Sequence, residues 1–520
     1  MKTQKKLTHH AGKVAAGTMV SRILGYLRDM LVAHTFGAGF AADAFYAAYR
    51  IPNLFRRLLG EGALSASFIP VLSDYLHNKS REETQKFINS LFTVLTLILL
   101  ALTALGIIFA PQLVNIIAYG FTSDPDKLAL TIDLTRLMFP FLFFICLAAL
   151  VLGVLNTLSS FFVPAVAPAS LSVAEIGFIL ALAPLLSPDN QIKGLAISVI
   201  IGGLGQLVIQ LPKMAKLGWK FGWNPDFSHP GLKRVGTLMI PSMIGLSVDQ
   251  INSFVDTVCA SFLIQGSITA LYYSNRVMQL PLAIFGLALA SAALPAMSKY
   301  VAQNNIASVK ETINYSLRLI IFILLPATAG LVVIGLPIIE VLFQRGEFSH
   351  QASLMTYSAL AYYSLGLPAY AAVKILASSF YAFQDTKVPV KIAAAAMLLN
   401  AVLNILLMRP MGVGGLALAS AISSWVNAGA LAFLLRKKIG PLGINKIISS
   451  TLKTIIASAI MSVVSYMIAY RWLPAYPGIA MFAALAGGVA SFFAAAYLLR
   501  AEEIKSIISV LKKEKPTGSD

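Results

Sequence analysis

The chain has 520 residues, of which 58% are hydrophobic and only 12% are charged, and its mean hydropathy is +0.77. Soluble domains carry about 25% charged residues, so this composition excludes a water-soluble protein and indicates a polytopic membrane protein. The net charge of +18 does not indicate a nucleic-acid-binding protein, because the Lys and Arg residues lie between long apolar segments and form no basic domain. Cys146 and Cys259 lie inside apolar segments, which argues against a disulfide framework.

Fourteen segments are apolar enough, over about 20 residues each, to be candidate membrane-spanning helices. They lie near residues 14–35, 41–70, 88–110, 131–154, 161–186, 194–211, 235–264, 269–297, 313–337, 352–380, 388–408, 412–435, 452–470 and 478–499. The sequence therefore predicts an all-α polytopic membrane protein with about fourteen transmembrane helices.

The distribution of basic residues between the loops predicts the orientation of these helices. Cytoplasmic loops of membrane proteins carry an excess of Lys and Arg. With the N-terminus placed in the cytoplasm, the inside segments hold most of the 40 basic residues. The outside loops hold Lys127, Lys193, Arg345, Arg409 and Arg471. This asymmetry, together with the even number of spans, predicts that both termini are cytoplasmic.

Seven arginines fall in or near the predicted spans, where a charge at the bilayer centre costs roughly 3 kcal/mol or more. They are Arg22, Arg28, Arg50, Arg56, Arg57, Arg136 and Arg276. Such residues by default face a cavity and mark a functional site. The structural alternative is that they reach the membrane interface or form ion pairs within the protein. Because guanidinium groups bind phosphate through paired hydrogen bonds, an arginine-lined cavity predicts a negatively charged cargo.

The second predicted span carries most of these charges at helical spacing. Asp43, Arg50 and Arg57 step by seven residues, about two turns, and Glu61 follows four residues later, so the four share one stripe. A stripe of mixed sign can neutralise itself through structural ion pairs. Arg56 lies about 100° round the helix from Arg57 and faces elsewhere.

The first predicted span has a similar arrangement. Arg22 and Asp29 step by seven residues, while Arg28 is turned away from that stripe. Arg28 and Arg56 have no acidic residue at helical spacing. These two arginines are therefore the better candidates for binding an external anion.

An internal repeat relates residues 44–75 to residues 270–300. With an offset of 226, Tyr46, Arg50 and Gly60 match Tyr272, Arg276 and Gly286, and after a slip of one residue Pro70 and Tyr75 match Pro295 and Tyr300. The repeat unit holds six spans, an even number, so both halves enter the membrane in the same direction. Parallel repeats of this kind bind substrate where the two halves meet and work by alternating access.

The repeat also predicts the organisation of the chain. Residues 1–212 form a first lobe of six spans, 213–234 a cytoplasmic linker and 235–437 a second lobe of six spans. Residues 438–520 hold the last two spans and a basic cytoplasmic tail. The two terminal spans lie outside the repeat.

The second lobe has fewer arginines and more neutral polar groups. Its first span holds Asp249 and Asp256, and Asn400 and Asn404 lie one turn apart in its fifth span. Oxygen ligands of this kind suit a hard cation such as Na⁺, or an aspartate can carry a proton. Hydrogen bonding between helices is the structural alternative. The sequence shows no nucleophile–base pair, so we do not expect an enzyme.

Several segments resemble the MurJ (MviN) family of the multidrug/oligosaccharidyl-lipid/polysaccharide exporter superfamily. They are residues 21–25 (SRILG), 28–29 (RD), 36–39 (FGAG), 42–45 (ADAF), 52–57 (PNLFRR), 61–63 (EGA), 155–157 (LNT), 272–273 (YY) with Arg276, and 387–391 (KVPVK). The resemblance extends from about residue 10 to about residue 500. It implies two six-helix lobes arranged as a V around a central cavity, with a groove for a lipid tail formed by the last two helices.

The family resemblance also implies a function and a set of site residues. The expected function is flipping of lipid II, the undecaprenyl-diphosphate-linked peptidoglycan precursor, across the bacterial cytoplasmic (inner) membrane. Family positions with essential charges match Arg22, Arg28, Asp29, Asp43, Arg56, Arg57, Glu61 and Arg276, and Arg28, Arg56 and Arg276 would hold the diphosphate. Some members have an acidic residue where this chain has Asn275, which should leave Arg276 less neutralised.

The resemblance bears on coupling and partners as well. A sodium site of some members matches Asp256, Asn400, Asn404 and Ser420, although one of these amides is an aspartate in some of them. No cofactor is expected, and Na⁺ or the membrane potential would couple transport. Expected partners are lipid II, membrane lipids and the cell-wall synthesis or division machinery, with no nucleic acid.

Three other functions remain open from the sequence. The chain could flip another polyprenyl-diphosphate glycan of the O-antigen type, using the same chemistry. A cation-coupled drug exporter of the same superfamily would have acidic rather than basic residues in its cavity. A scaffold protein of the cell-wall machinery would tolerate loss of Arg28 or Arg276.

Overall fold

The structure is a computed structural model that describes residues 2–473 and 477–504, with the side chains of residues 2–16, Glu61, 244–249 and Leu287 left aside. Within these ranges the chain forms helices joined by short turns and contains no strand, as the composition predicts.

The first half of the chain forms twelve α-helices. They are α1 (Lys2–Phe36), α2 (Phe40–Phe55), α3 (Ser65–Asn78), α4 (Arg81–Ile108), α5 (Ala110–Ile117), α6 (Pro125–Met138), α7 (Pro140–Thr157), α8 (Phe162–Val166), α9 (Ala169–Gly177), α10 (Pro188–Val208), α11 (Leu211–Lys216) and α12 (Pro230–Ser261). Two π-helical segments, Arg56–Leu64 and Phe178–Leu182, continue α2 and α9.

The second half of the described chain forms ten more. They are α13 (Ser267–Pro281), α14 (Ala288–Ala302), α15 (Ile306–Val333), α16 (Gly335–Phe343), α17 (His350–Leu365), α18 (Leu367–Ala382), α19 (Lys387–Met411), α20 (Val413–Ile439), α21 (Ile444–Tyr466) and α22 (Pro477–Leu498). The π-helical segments Leu282–Leu287 and Met467–Trp472 follow α13 and α21.

The positions of these helices confirm the internal repeat. The π-helical segments after α2 and α13 begin at Arg56 and Leu282, which are 226 residues apart, the offset found in the sequence. The pairs α4 and α15, α6 and α17, and α10 and α20 each begin 225 residues apart, as expected after the one-residue slip. Two groups of helices with the same order and spacing therefore follow each other along the chain.

The repeat extends to the residues that begin the helices. The side chains of Ser80 and Asn305 cap α4 and α15 by accepting a hydrogen bond from the backbone N–H three residues later. Asp124 and Ser349 cap α6 and α17 in the same way. Each cap satisfies a backbone donor that the first turn of a helix leaves unpaired. Capping residues of different identity thus preserve the same helix start in both repeats.

Ten of the described helices or helix combinations are long and apolar enough to span a membrane, and the bent pair α17–α18 raises this number to eleven. The other three predicted spans correspond to α1, to α2 with its π-helical continuation and α3, and to α12. These three carry most of the charged residues singled out in the sequence, and charged residues lower the hydropathy of a helix. The multi-span membrane class is confirmed, whereas the number of fourteen stays a prediction.

Contacts along the chain divide it into two compact units. The first comprises Met1–Thr269 with Gly346–Phe348, and the second comprises Ala270–Arg345 with Ser349–Asp520. The lobe boundaries predicted from the repeat, at 1–212, 213–234, 235–437 and 438–520, stay a prediction.

The two terminal helices are fixed to α15 at two points within the second unit. Near the middle of α15, Arg318 donates from Nε to Glu503 (2.7 Å) and from Nη2 to Glu502 (2.7 Å), just beyond α22. Hydrogen bonding to Arg318 lowers the pKa of Glu502 below its usual value. At the far end of α15, the Tyr470 hydroxyl donates to the backbone oxygen of Val333 (3.2 Å), a carbonyl released where the helix ends. The terminal pair α21–α22 is therefore attached to α15 by polar contacts about 22 Å apart.

Candidate functional site

Arg28 lies between two buried carboxylates in the first unit. On α1, its Nε and Nη2 donate to Oδ1 of Asp29 at 3.0 and 2.7 Å. Its Nη1 lies 3.6 Å from Oε1 of Glu175 on α9. The side chains of Arg28, Asp29 and Glu175 are 11%, 1% and 5% exposed. The guanidinium is thus held in a fixed orientation by a neighbour in sequence and by an acid from a different helix.

Arg28 has no acidic residue at helical spacing, as the sequence indicated, yet it has two acidic partners outside that spacing. Helical spacing places Asp29 about 100° from Arg28, but the long arginine side chain folds back to reach it. Glu175 comes from a helix far away in sequence, so spacing within α1 carries no information about it.

Arg56 begins the π-helical segment Arg56–Leu64 that continues α2. Its Nε donates to Oδ1 of Asn53 at 2.8 Å, which orients the guanidinium. Pro52 lies inside α2 just before this segment and cannot donate a backbone hydrogen bond. π-helical segments within α-helices occur frequently at functional sites.

The π-helical segment changes the predicted stripe of the second span. Its backbone bonds follow an i→i+5 pattern, so the 3.6-residue period does not extend beyond Arg56. Arg57 and Glu61 are therefore not continuations of the face that carries Asp43 and Arg50. Arg57 is exposed, and the side chain of Glu61 lies outside the described part of the structure.

Tyr49 marks the place where the candidate arginines converge. This half-buried residue of α2 lies within electrostatic range of Arg56, Arg28, Glu175 and Arg57. The charges of three predicted arginines and of one buried acid thus act on one tyrosine within the first unit. Guanidinium groups grouped in this way can bind an anionic ligand with paired, charge-assisted hydrogen bonds.

Asp43 has a different environment, in which its carboxylate is hydrogen-bonded to groups of the protein. Its carboxylate accepts hydrogen bonds from Lys127 Nζ (3.0 Å), Gly266 N (2.7 Å), and Thr269 N and Oγ1 (3.0 and 2.8 Å). The residue is 1% exposed, and the Lys127 ammonium also lies 4.2 Å from the centre of the Phe121 ring. A buried carboxylate with four donors is saturated, so this residue stabilises the first unit.

Asp43 and Arg50 of the mixed stripe each contact a residue outside the stripe. Asp43 pairs with Lys127 of α6, a residue assigned from sequence to an outside loop, and not with Arg50. Arg50 donates to the backbone oxygen of Ser253 on α12 at 3.3 Å. Both contacts join helices within the first unit, which supports the structural alternative for this stripe.

The remaining arginines of the prediction lie apart from this cluster in the chain. Arg22 of α1 is exposed. Arg136 is about half exposed and lies 3.9 Å from Asp133, as expected for an arginine near the end of a span. Arg276 is half-buried on α13 and belongs to the second unit. Its neighbour Asn275 accepts a hydrogen bond from Gln279.

The proposed sodium ligands are divided between the two units. Asn404 donates to Oδ1 of Asn400 at 3.1 Å, and Asn400 donates to the Ser420 hydroxyl at 3.2 Å. These contacts engage the amide oxygen of Asn400 that a cation would need, and the group includes no carboxylate. Asp256 lies in the first unit, and Asp249 lies outside the described side chains. The donor set of the second unit therefore fits the interhelical hydrogen bonds named as the alternative, and by itself does not fit a sodium site.

Sequence reasoning missed Glu175 and Tyr49 as members of the arginine cluster. Glu175 is the sole ionisable residue of the predicted span 161–186, which was a usable signal because charged residues inside spans are costly. Tyr49 precedes Arg50 in a segment rich in aromatic and small residues and carries no distinguishing pattern.

Comparison with known proteins identifies the family. Residues 32–487 match the family model described as lipid II flippase MurJ. The chain belongs to the MurJ lipid II flippase family. It is 38% identical over 439 residues to the probable lipid II flippase MurJ of Vibrio cholerae, covering 82% of each chain. It is 37% identical over 429 residues to the lipid II flippase MurJ of Burkholderia cenocepacia, covering 82% of this chain and 83% of the relative.

Solved structures agree with this assignment. A lipid II flippase MurJ in an inward closed conformation matches with a TM-score of 0.79 and 27% identity, covering 94% of this chain and 99% of that chain. An inward-facing multidrug resistance MATE family transporter of the MOP superfamily matches with a TM-score of 0.66 and 13% identity, covering 83% and 98% of the two chains. The second likeness shows the fold alone. Membership of this family makes the chain a membrane transporter and not an enzyme.

Proposed function

We propose that this chain moves lipid II from the cytoplasmic to the periplasmic leaflet by alternating access, with Arg28, Arg56 and Arg276 binding the diphosphate. The observation that carries the proposal is the pair of half-buried arginines Arg28 and Arg56, whose guanidinium groups are oriented by hydrogen bonds, in a member of a lipid II flippase family. An uncompensated diphosphate is very costly to move through hydrocarbon. Arginines held in a cavity lower that cost by replacing water around the anion.

Arg276 is the proposed contribution of the second unit, through its match to Arg50 in the internal repeat. Its half-buried position and its neutral neighbour Asn275 suit a guanidinium that binds an anion. Arg22, Asp29 and Glu61 are proposed to support this site electrostatically. Asp43 is proposed to act indirectly, by stabilising the first unit.

The surroundings of the transporter follow from the same proposal. We place it in the bacterial cytoplasmic membrane with both termini in the cytoplasm, because the basic residues favour that orientation. Membrane lipids and the cell-wall synthesis or division machinery are its proposed partners. A membrane potential that is negative inside would favour the return of an empty, positively charged cavity towards the cytoplasm, and we propose this as the source of coupling.

Complementation tests the proposal. Bacteria depleted of their own lipid II flippase are given this chain, and the lipid II that reaches the outer leaflet is measured. We expect externalised lipid II to be restored, and to fall again when an ionophore collapses the membrane potential. Failure to restore lipid II at normal membrane abundance would indicate a different polyprenyl-diphosphate cargo, such as an O-antigen carrier.

Glu175 is expected to compete with the diphosphate for Arg28. Its carboxylate lies 3.6 Å from the guanidinium and is almost completely buried, so an anion that binds Arg28 must work against this negative charge. We expect Glu175→Gln to bind a soluble diphosphate diester, UDP-N-acetylglucosamine, about tenfold more tightly, equivalent to ~1.4 kcal/mol. Isothermal titration calorimetry on purified protein measures the difference.

The control for this substitution is Glu83→Gln, which removes an acid that is 43% exposed and pairs with Lys79 on the surface of α4. This variant should bind the diester as the wild type does. Weaker binding by Glu175→Gln would show instead that Glu175 orients Arg28 for the anion and does not compete with it.

A further inference from the structure

The chain between α11 and α12 lies in an extended conformation along α4. We refer to residues 217–228 as the strap. Gly218, Lys220, Gly222 and Asn224 of the strap are hydrogen-bonded in turn to the side chains of Arg81, Gln85, Asn89 and Thr93. Successive contacts are thus two residues apart in the strap and four residues apart in the helix. Six extended residues span about 20 Å and twelve helical residues about 18 Å, which explains why this register persists over three turns.

Side chains of α4 supply the hydrogen bonds that an extended chain lacks. The backbone N–H groups of Gly222 and Asn224 donate to Oδ1 of Asn89 (3.0 Å) and to the Thr93 hydroxyl (2.9 Å). The amide of Asn224 also donates to the Ser90 hydroxyl (2.9 Å). Backbone groups in contact with lipid must be satisfied within the protein, whereas a loop in water needs no such partners. The pairing is therefore what a segment placed at the membrane surface requires.

The helix under the strap is a candidate membrane span. The strap covers the row of α4 that runs through residues 81, 85, 89 and 93, and the predicted apolar span begins near residue 88. The same row continues with Leu97, Ala101 and Leu105, all of which are exposed. Beyond the strap this row is therefore apolar and open to lipid. The strap therefore covers the cytoplasmic end of this row of α4, and lipid covers the rest of it.

Two aromatic side chains of the strap point away from α4. Trp223 and Phe227 are 61% and 62% exposed, whereas Trp219 is 7% exposed and lies under Arg81. Phe221 is stacked on Phe92, with ring centres 4.3 Å apart. Two aromatic residues of the strap thus pack against α4, and the other two face outward. Exposed tryptophan at the end of a span is typical of the membrane–water interface.

Basic residues accompany these aromatic side chains. Lys216 and Lys220 flank the start of the strap, and Lys86 lies on the part of α4 that it crosses; all three are exposed. Lys and Arg close to a membrane surface gain about 1 kcal/mol each from anionic lipids. The strap with its neighbours therefore combines interfacial aromatic residues with a positive charge.

We propose that the strap is a membrane-docking surface that inserts Trp223 and Phe227 among the anionic headgroups of the cytoplasmic leaflet. Docked in this way, the linker is fixed both to α4 and to the bilayer surface as far as residue 228. Freedom to bend between the helices of the two repeats is then confined to residues that follow the strap. The proposal depends on the membrane-spanning class alone and stands independently of the cargo.

Depth measurements with a nitroxide spin label test the docking. Cysteine is introduced at one position, as Trp223→Cys, Lys79→Cys or Leu97→Cys, and the labelled protein is placed in nanodiscs that contain phosphatidylglycerol. The two native cysteines, Cys146 and Cys259, are buried, and unsubstituted protein gives the labelling background. Oxygen and a water-soluble nickel complex then report exposure of each label to lipid and to water.

The two control positions bracket the expected result. Lys79 is half exposed at the end of α3, on the predicted cytoplasmic side, and Leu97 is exposed on the apolar row of α4. We expect the label at position 223 to be intermediate, with at least threefold less collision with the nickel complex than the label at position 79. Equal accessibility at positions 223 and 79 would place the strap in water and overturn the proposal, whether the strap faces solvent or a soluble partner.

A second measurement tests the charge of the lipid. The three lysines are replaced together, as Lys86→Gln, Lys216→Gln and Lys220→Gln. The contact of the label at position 223 with spin-labelled phosphatidylglycerol is then compared with its contact with spin-labelled phosphatidylcholine, and the ratio of the two is the preference. We expect the preference to fall at least twofold relative to protein with these lysines intact. An unchanged preference would overturn the assignment to anionic headgroups.

Discussion

Loss of Arg28 is expected to abolish lipid II flipping. Its guanidinium is oriented by Asp29 and faces Glu175, so alanine at this position removes the positive charge that lies between the two acids. Charge-assisted hydrogen bonds to phosphate contribute about 1.5–3 kcal/mol each, and a bidentate pair is lost as a unit. We therefore expect Arg28→Ala to lower the rate of lipid II externalisation at least 100-fold in cells that depend on this chain.

The control must separate binding from folding. Arg28→Ala leaves two buried carboxylates without their cation, which by itself destabilises the first unit. The double variant Arg28→Gln with Glu175→Gln removes one of these acids together with the cation. If the double variant reaches normal abundance and still fails to externalise lipid II, the result supports binding of lipid II by Arg28. Normal externalisation by this variant would show that Arg28 is structural and would favour a scaffold or another binding site.

Removal of the Asp43 carboxylate is expected to destabilise the first unit more than any surface substitution. Asp43→Ala leaves Lys127 buried without its anion and removes the acceptor for the backbone of Gly266 and Thr269. Breaking a buried ion pair from one side costs about 3–5 kcal/mol. We expect a loss of this size in the free energy of unfolding, measured by denaturant titration of the purified protein in micelles.

Asp133 provides the matched control for Asp43. It lies on α6 like Lys127 and pairs with Arg136 at 3.9 Å, but the two side chains are 52% and 47% exposed. Asp133→Ala should change the free energy of unfolding by less than about 1 kcal/mol. A small effect of Asp43→Ala, similar to that of Asp133→Ala, would contradict the structural role assigned to the four hydrogen bonds.

The fold was predictable from the sequence because its determinants are local. Long apolar segments define the spans, and the repeat offset found near Arg50 and Arg276 reappears in the starts of α4 and α15. Ser80 and Asn305 illustrate why the repeat is easier to recognise in the structure than in the sequence. The two residues differ, yet each caps a helix through a side-chain oxygen that accepts a backbone hydrogen bond.

The arrangement of the site was only partly predictable, because it depends on contacts between distant segments. The sequence identified Arg28 and Asp43 as important, but their partners Glu175 and Lys127 lie on other helices. Helical spacing also failed at Arg56, where a π-helical segment replaces the regular period. Residue types in spans therefore indicated the candidate residues, whereas their contacts with distant helices required the tertiary structure.

Transport of lipid II by the purified protein is the most direct test of the proposed function. The protein is reconstituted in liposomes with lipid II, and a headgroup-modifying reagent added outside measures how fast lipid II from the inner leaflet becomes accessible. Wild-type protein is expected to expose inner-leaflet lipid II, and the double variant Arg28→Gln with Glu175→Gln to do so far more slowly. Equal rates for wild-type protein and protein-free liposomes would contradict the account.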